Sequence, residues 1–196
     1  EKSVTITSWT YDGQAAGSEN HAVTSSATSE NDGAKAEYTY YVKNGEEWNA
    51  LDEAPVNVGS YKVVANWAET TNYPALSAEC EFTISKRPVT ITVADNGKIY
   101  GESDPTFSGA SMSGQVEGEL GDVDLSVVRS NDDENVGTYR DVLNITKTEG
   151  DLESTYTNYD FIINPGDFVI SKDEAGNIEK SVTITSWTYD GQAAGS

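Results

Sequence analysis

The usual ingredients of catalysis are scarce in this chain. Its 196 residues include one cysteine, one histidine and one methionine. A single cysteine, Cys80, cannot build an intramolecular disulfide framework. It alternates with Glu79 and Glu81 in SAECEFTIS and is expected to be a small structural residue on the strand face opposite Phe82 and Ile84. The one histidine, His21, sits in a polar loop beside Glu19 and Asn20. It reads as exposed; alone it supplies no zinc set of ordinary composition, and any catalytic triad would have to be built around it as well. No nucleophile elbow or phosphate-cradling loop occurs, so an enzyme is not expected. Basic residues are also few, 12 Lys and Arg against 33 Asp and Glu, for a formal charge of −21. Such a surface repels phosphate backbones and anionic lipid, which argues against nucleic-acid and membrane-surface partners and keeps an exposed, repetitive protein soluble. No apolar run approaches the roughly 18 residues of a membrane span. Neither end reads as a signal peptide, so the chain is expected to be an internal piece of a longer protein.

What is present points to a folded, repeated β structure. Hydrophobic residues make up 36%, with eleven Tyr and four Trp, too much core-forming material for a disordered chain. FTISK at 82–86 returns as FVISK at 168–172, and NVGSY at 57–61 returns as NVGTY at 135–139. These pairs define two related units, 1–86 and 87–172. EKSVTITSWTYDGQAAGS at 1–18 is repeated without change at 179–196, which reads as the opening strand of a further copy of the first unit after a polar linker at 173–180. Such a strand without its module is expected to pair or exchange with a neighbouring edge through residues 179–196.

Strand signals recur throughout. VTIT at 4–7, VTITV at 89–93 and GSYKVVANW at 59–67 alternate apolar and polar residues, and DLSVV, TYRDVLNIT and YDFII continue the pattern. Asn44-Gly45 reads as a hairpin turn because both residues tolerate positive φ. Pieces around GEEWN and GEL can give a turn of helix and no more. The fold class is therefore all-β, two tandem Ig-like β-sandwich modules in an elongated array, with a β-grasp-like second module as the alternative. Lys86-Arg87-Pro88 leaves little slack between the units, so that joint should be stiff.

The second unit, through KRPVTITVADNGKIYGESDPTFSG, GELGD, ENVGTY and NYDFIINPGDFVISK, resembles the bacterial MBG ("mostly beta, glycine-rich") repeat family in its Tyr-Gly type. The first unit is similar to the companion type, through Tyr11-Asp12-Gly13, the YTYY strand, Pro55 to Tyr61 and Asn72-Tyr73, but lacks the Tyr-Gly-x-x-Asp-Pro segment. The resemblance implies a non-catalytic stalk or spacer of a secreted or cell-wall-attached bacterial adhesin. Its partners would be the neighbouring repeats, with host or environmental glycans and proteins met through other domains. It also implies architectural roles: Gly59 and Gly137 in turns, Tyr61 and Tyr139 opening core strands, Tyr100-Gly101 as the type's signature, and Pro165-Gly166 as a hairpin.

Two chemistries remain. Calcium takes six to eight oxygens in flexible geometry, and Asp132, Asp133 and Glu134, with Asp173 and Glu174 at the linker, are the candidate ligands, although none has EF-hand spacing. Partly exposed aromatics Tyr41, Trp48 and Tyr11 are candidates for stacking on a sugar or protein ligand, which makes a carbohydrate- or protein-binding module the alternative function. Lys43, Lys62 and Lys98 lie near strands where an isopeptide crosslink would need them.

Overall fold

The alternation of small polar and β-branched residues becomes strands wherever one face finds apolar partners. The computed structural model describes residues 2–26 and 32–174, and these form four sheets. In the first half, β1 (Val4–Thr5) and β3 (Thr24–Ser25) make a two-stranded ribbon. A five-stranded sheet follows, with β2 (Trp9–Thr10), β4 (Glu37–Asn44), β5 (Glu47–Leu51), β6 (Gly59–Trp67) and β7 (Leu76–Ser85) in the order β2-β7-β6-β4-β5. Strand β6 carries the predicted pattern in full: Tyr61, Val63, Ala65 and Trp67 are buried, while Lys62, Val64 and Asn66 face outward.

The second half divides between two sheets. The three-stranded sheet places β8 (Arg87–Thr92) between β10 (Ser111–Ser113) and β13 (Tyr159–Asn164). The four-stranded sheet has the order β11 (Val127–Arg129), β12 (Gly137–Ile145), β14 (Gly166–Ser171) and β9 (Asn96–Ile99). One short helix, α1 (Glu149–Thr155), lies between β12 and β13. A capping box starts it: the Thr148 hydroxyl accepts from the Asp151 N–H while the Asp151 carboxylate accepts from the Thr148 N–H. Leu152 is its buried residue.

Three pairings, β2 with β7, β8 with β13 and β9 with β14, are parallel. An Ig-like sandwich is built from antiparallel sheets, so the described residues are a mostly β structure that does not resolve into two discrete Ig-like sandwiches. Nor does the second half form a single sheet crossed by one helix, the β-grasp arrangement. Buried side chains from both halves make one cluster, from Val4 through Trp67 and Ile84 to Phe168 and Ile170.

Local readings also change. Pro165-Gly166 is not a hairpin, because β13 stays with β8 up to Asn164 while β14 pairs with β12 and β9. The chain changes sheets at Pro165. Gly166 is needed there because a Cβ would lie 2.7 Å from the Ala94 carbonyl oxygen. Gly59 and Gly137 open β6 and β12 without positive φ. At Gly59 the space a Cβ would take is occupied by the Tyr61 ring, 2.9 Å away. Cys80 lies on the same face as Phe82 and Ile84, since residues two apart on a strand share a face. Asn44 pairs with Glu47, which leaves Gly45-Glu46 as the two-residue loop, with Gly45 taking positive φ.

Candidate functional site

The two halves share a frame that can be superposed residue by residue from its pairings. Tyr61 faces Phe82 and Gly59 faces Ile84 in one half; Tyr139 faces Phe168 and Gly137 faces Ile170 in the other. The Tyr61 hydroxyl donates to the Asn57 carbonyl at 2.8 Å, and the Tyr139 hydroxyl donates to the Asn135 carbonyl at 2.7 Å. In the first sheet Thr10 pairs with Ser85, and the Tyr11 N–H donates to the Ser85 carbonyl at 2.9 Å. In the second, Ile99 pairs with Ser171, and the Tyr100 N–H donates to the Ser171 carbonyl at 2.8 Å. Tyr11 and Tyr100 are thus one position in two settings.

Tyr11 is where the halves meet. A single residue, Lys86, separates β7 from β8, so the chain has no slack to hold them apart. The Tyr11 hydroxyl donates to Glu119 Oε1 at 3.0 Å, and the Tyr159 hydroxyl donates to the other oxygen of the same carboxylate. Their rings meet edge to face at 5.5 Å. The Asn158 side chain accepts from the Val58 N–H at 2.9 Å and donates to Asn57 Oδ1 at 2.9 Å. Arg87 donates to the carbonyls of Tyr11 and Gly114, and Lys86 reaches Glu153 at 2.8 Å. Burial first, then the bond to Glu119, pushes the Tyr159 phenol up to about 12. Tyr11 is raised by the same causes in the same order. Next to Glu119, Leu120 is buried with φ +62, a left-handed conformation that costs a branched L residue about 1–2 kcal/mol.

Tyr11 was expected to be partly exposed, but it is 5% exposed because the second half covers it. His21, expected in solvent, lies 2.8 Å from Asp12 and stacks on Trp9 at 4.0 Å, so its side chain is 12% exposed. Tyr41 and Trp48 are half-buried and share the outer face of the five-stranded sheet. Their rings are bridged by the Lys62 ammonium, 5.6 Å from Tyr41 and 5.0 Å from Trp48, and Lys43 adds a second cation over Trp48. Lys62 also pairs with Glu79 at 3.1 Å.

The acidic run after β11 surrounds two of the protein's own cations. Arg129 and Lys98, each with a side chain 4% exposed, reach Asp104 at 2.9 and 2.7 Å, and both also contact Glu134. The Asp133 backbone carbonyl accepts from Arg129, and its carboxylate accepts from Asn131. Lys98 as a hydrogen-bond donor, more than any other cause, holds the Asp104 and Glu134 carboxyls below their ordinary range. The guanidinium also sits 4.5 Å over the Phe168 ring. Asp132 is exposed, and Asp173 and Glu174 follow β14. Among the described residues, no group of three or more His, Cys, Asp or Glu is arranged to hold a metal. No helix among them is long and apolar enough to cross a membrane. Gly101, beside Tyr100, takes φ +88 and turns the chain after β9.

The sequence reading missed Glu119, Arg129 and the burial of Lys98. A lone Glu in GELGD carries no periodicity that marks it, and Asn158 and Tyr159 entered only as letters of the family resemblance. Residues 89–169 match the family model of the MBG domain (YGX type). Comparison with curated proteins and with solved structures returned no match.

Proposed function

We propose, from the premise that residues 89–169 are of the MBG type, that this chain is a non-enzymatic extracellular spacer of a bacterial surface adhesin. It would be attached to the cell wall or secreted, and would carry a binding domain away from the cell. In this reading residues 1–86 and 87–172 are two β modules strung lengthwise. The observation that carries it is the joint: a one-residue connection, a carboxylate shared by two phenols from different halves, and an asparagine bonded to the opposite backbone. A spacer needs its joints to resist bending, and this one is tied at several points.

Solution scattering tests the reading. In a chain of two tandem 178-residue units, lengthwise stringing about doubles the radius of gyration, whereas a compact globule grows only about 1.3-fold. Compact growth would refute the spacer. Tyr41 and Trp48 mark the alternative, a carbohydrate- or protein-binding face. Retention on a glycan array that is lost in Trp48→Ala would favour it.

A further inference from the structure

Among the described residues, two large apolar side chains at one end of the second half stand about half exposed. Tyr100 is 51% exposed and Val136 is 45% exposed. They are the counterparts, by strand register and by backbone hydrogen bond, of Tyr11 and Val58. In the first half the Tyr11 ring meets the Tyr159 ring, and the Val58 N–H donates to the Asn158 side chain. The opposite end of the molecule shows the complement. Tyr73 lies nine residues before Phe82, as Tyr159 lies nine before Phe168. Tyr159 is 2% exposed and Tyr73 is 41% exposed. Beside it, the Asn72 amide nitrogen donates to Asp32, so its carbonyl oxygen is the group available to an incoming N–H.

We propose that the Tyr100–Val136 end is a docking face for a second copy of the first half, which presents its Asn72–Tyr73 end. The contact repeats the geometry of the internal joint: Tyr73 of the following copy packs against Tyr100, and its Asn72 carbonyl oxygen accepts from the Val136 N–H. The occupant is identified by the chain itself, whose residues 179–196 repeat 1–18. The connection here is longer than at the internal joint. Three residues lie between Ser85 and Val89, but ten lie between Ser171 and Val182. Covalent geometry therefore does not impose the contact, and complementary surfaces must make it. The inference rests on the tandem-spacer reading and adds that the second kind of joint is also closed.

The test extends the chain after Ser196 with a copy of residues 19–172, in which the copy's own Tyr100 is changed to Phe. Nitration of the remaining Tyr100 by tetranitromethane is followed by peptide mass spectrometry. Tyr100 should react about fivefold more slowly, or slower still, than in the 196-residue chain, and Tyr73→Ala in the appended copy should restore the faster rate. Tyr73 is exposed, so that change leaves the fold intact, and a protected Tyr11 in every sample confirms it. Equal Tyr100 reactivity in the short and extended chains overturns the proposal. If scattering from the same sample still shows lengthwise growth, only the closed joint fails; if it shows compact growth, the spacer reading fails as well.

Discussion

Replacing Glu119 with Ala should loosen the two halves from each other, and the structure sets the size of the effect. Two buried phenols, Tyr11 and Tyr159, lose their acceptor at once. A hydrogen bond to a charged group contributes about 1.5–3 kcal/mol net, and a buried donor left unmet costs a similar amount. A cavity of 300 Å³ lined by Glu119, Tyr156 and Asn158 borders the site, so water can take over part of the lost bonding. The loss should therefore be about 2–4 kcal/mol rather than the full sum. For a chain of this size that lowers Tm by about 5–15 °C. Glu119→Gln keeps one neutral acceptor and should cost about half as much. The sharper assay is a double-mutant cycle of Tyr11→Phe with Glu119→Ala in urea unfolding. The coupling should be about 1 kcal/mol, because each change removes the same bond between the halves. Additivity within about 0.3 kcal/mol would show that the bond contributes nothing and would refute this account of the joint.

The same phenols predict an alkaline transition. Their raised pKa values mean the folded state keeps protons that the unfolded state releases, so their contribution is whole below pH 10.0 and is lost as pH rises above it, for Tyr159 toward about 12. Unfolding followed against pH should show this decline, and Tyr159→Phe should flatten it. Asp104 and Glu134 act in the opposite direction. Their depressed pKa values give a contribution that is present above the ordinary values of 3.8 and 4.5 and is lost as pH falls below them. Arg129→Ala should lower Tm by about 5 °C, through lost stacking on Phe168 and lost bonds to Asp104, and should move acid unfolding to higher pH. Gly166→Ala places a methyl against the Ala94 carbonyl and should cost about 2–3 kcal/mol, read from urea midpoints at unchanged slope.

The strands were legible wherever one face is buried, because period-2 alternation reports burial directly: β6, β8 and the end of β12 follow it. The pairing of those strands was not. Parallel neighbours such as β8 and β13 are some 70 residues apart in sequence, and nothing local records which edge a strand will meet. Pro165-Gly166 carries the letters of a turn, yet the physical demand at Gly166 is close approach to Ala94, which a dipeptide does not reveal. Helix α1 escaped notice because one buried residue, Leu152, gives no helical stripe; its readable signal was the capping pair Thr148 and Asp151. For the candidate site, Tyr11 and Tyr100 are equally aromatic and sit on the same frame. What separates them is that Tyr159 and its neighbours pack on Tyr11 while Tyr100 stays half exposed, a difference no local letter records.

Pulling on the two ends should unfold the halves in a set order. In the first half the opening strands are held by very short ladders: β1 meets β3 at two residue pairs, and β2 meets β7 at two. In the second half the entering strand β8 lies between two partners and pairs with β13 over six consecutive residue pairs, from Arg87 with Tyr159 to Thr92 with Asn164. Force along a strand in the middle of a sheet loads its ladder bonds together, whereas a two-residue strand yields after one or two bonds break. Single-molecule stretching should therefore show a weaker event followed by a stronger one. The weaker event should release about 300 Å of chain, the extended length of the first half. Tyr11→Phe should lower the first force and leave the second unchanged, since Tyr11 belongs to the segment that peels away. One combined event, or release of the second half first, would mean that the shared cluster around Tyr11 and Tyr159 governs resistance and that ladder length does not.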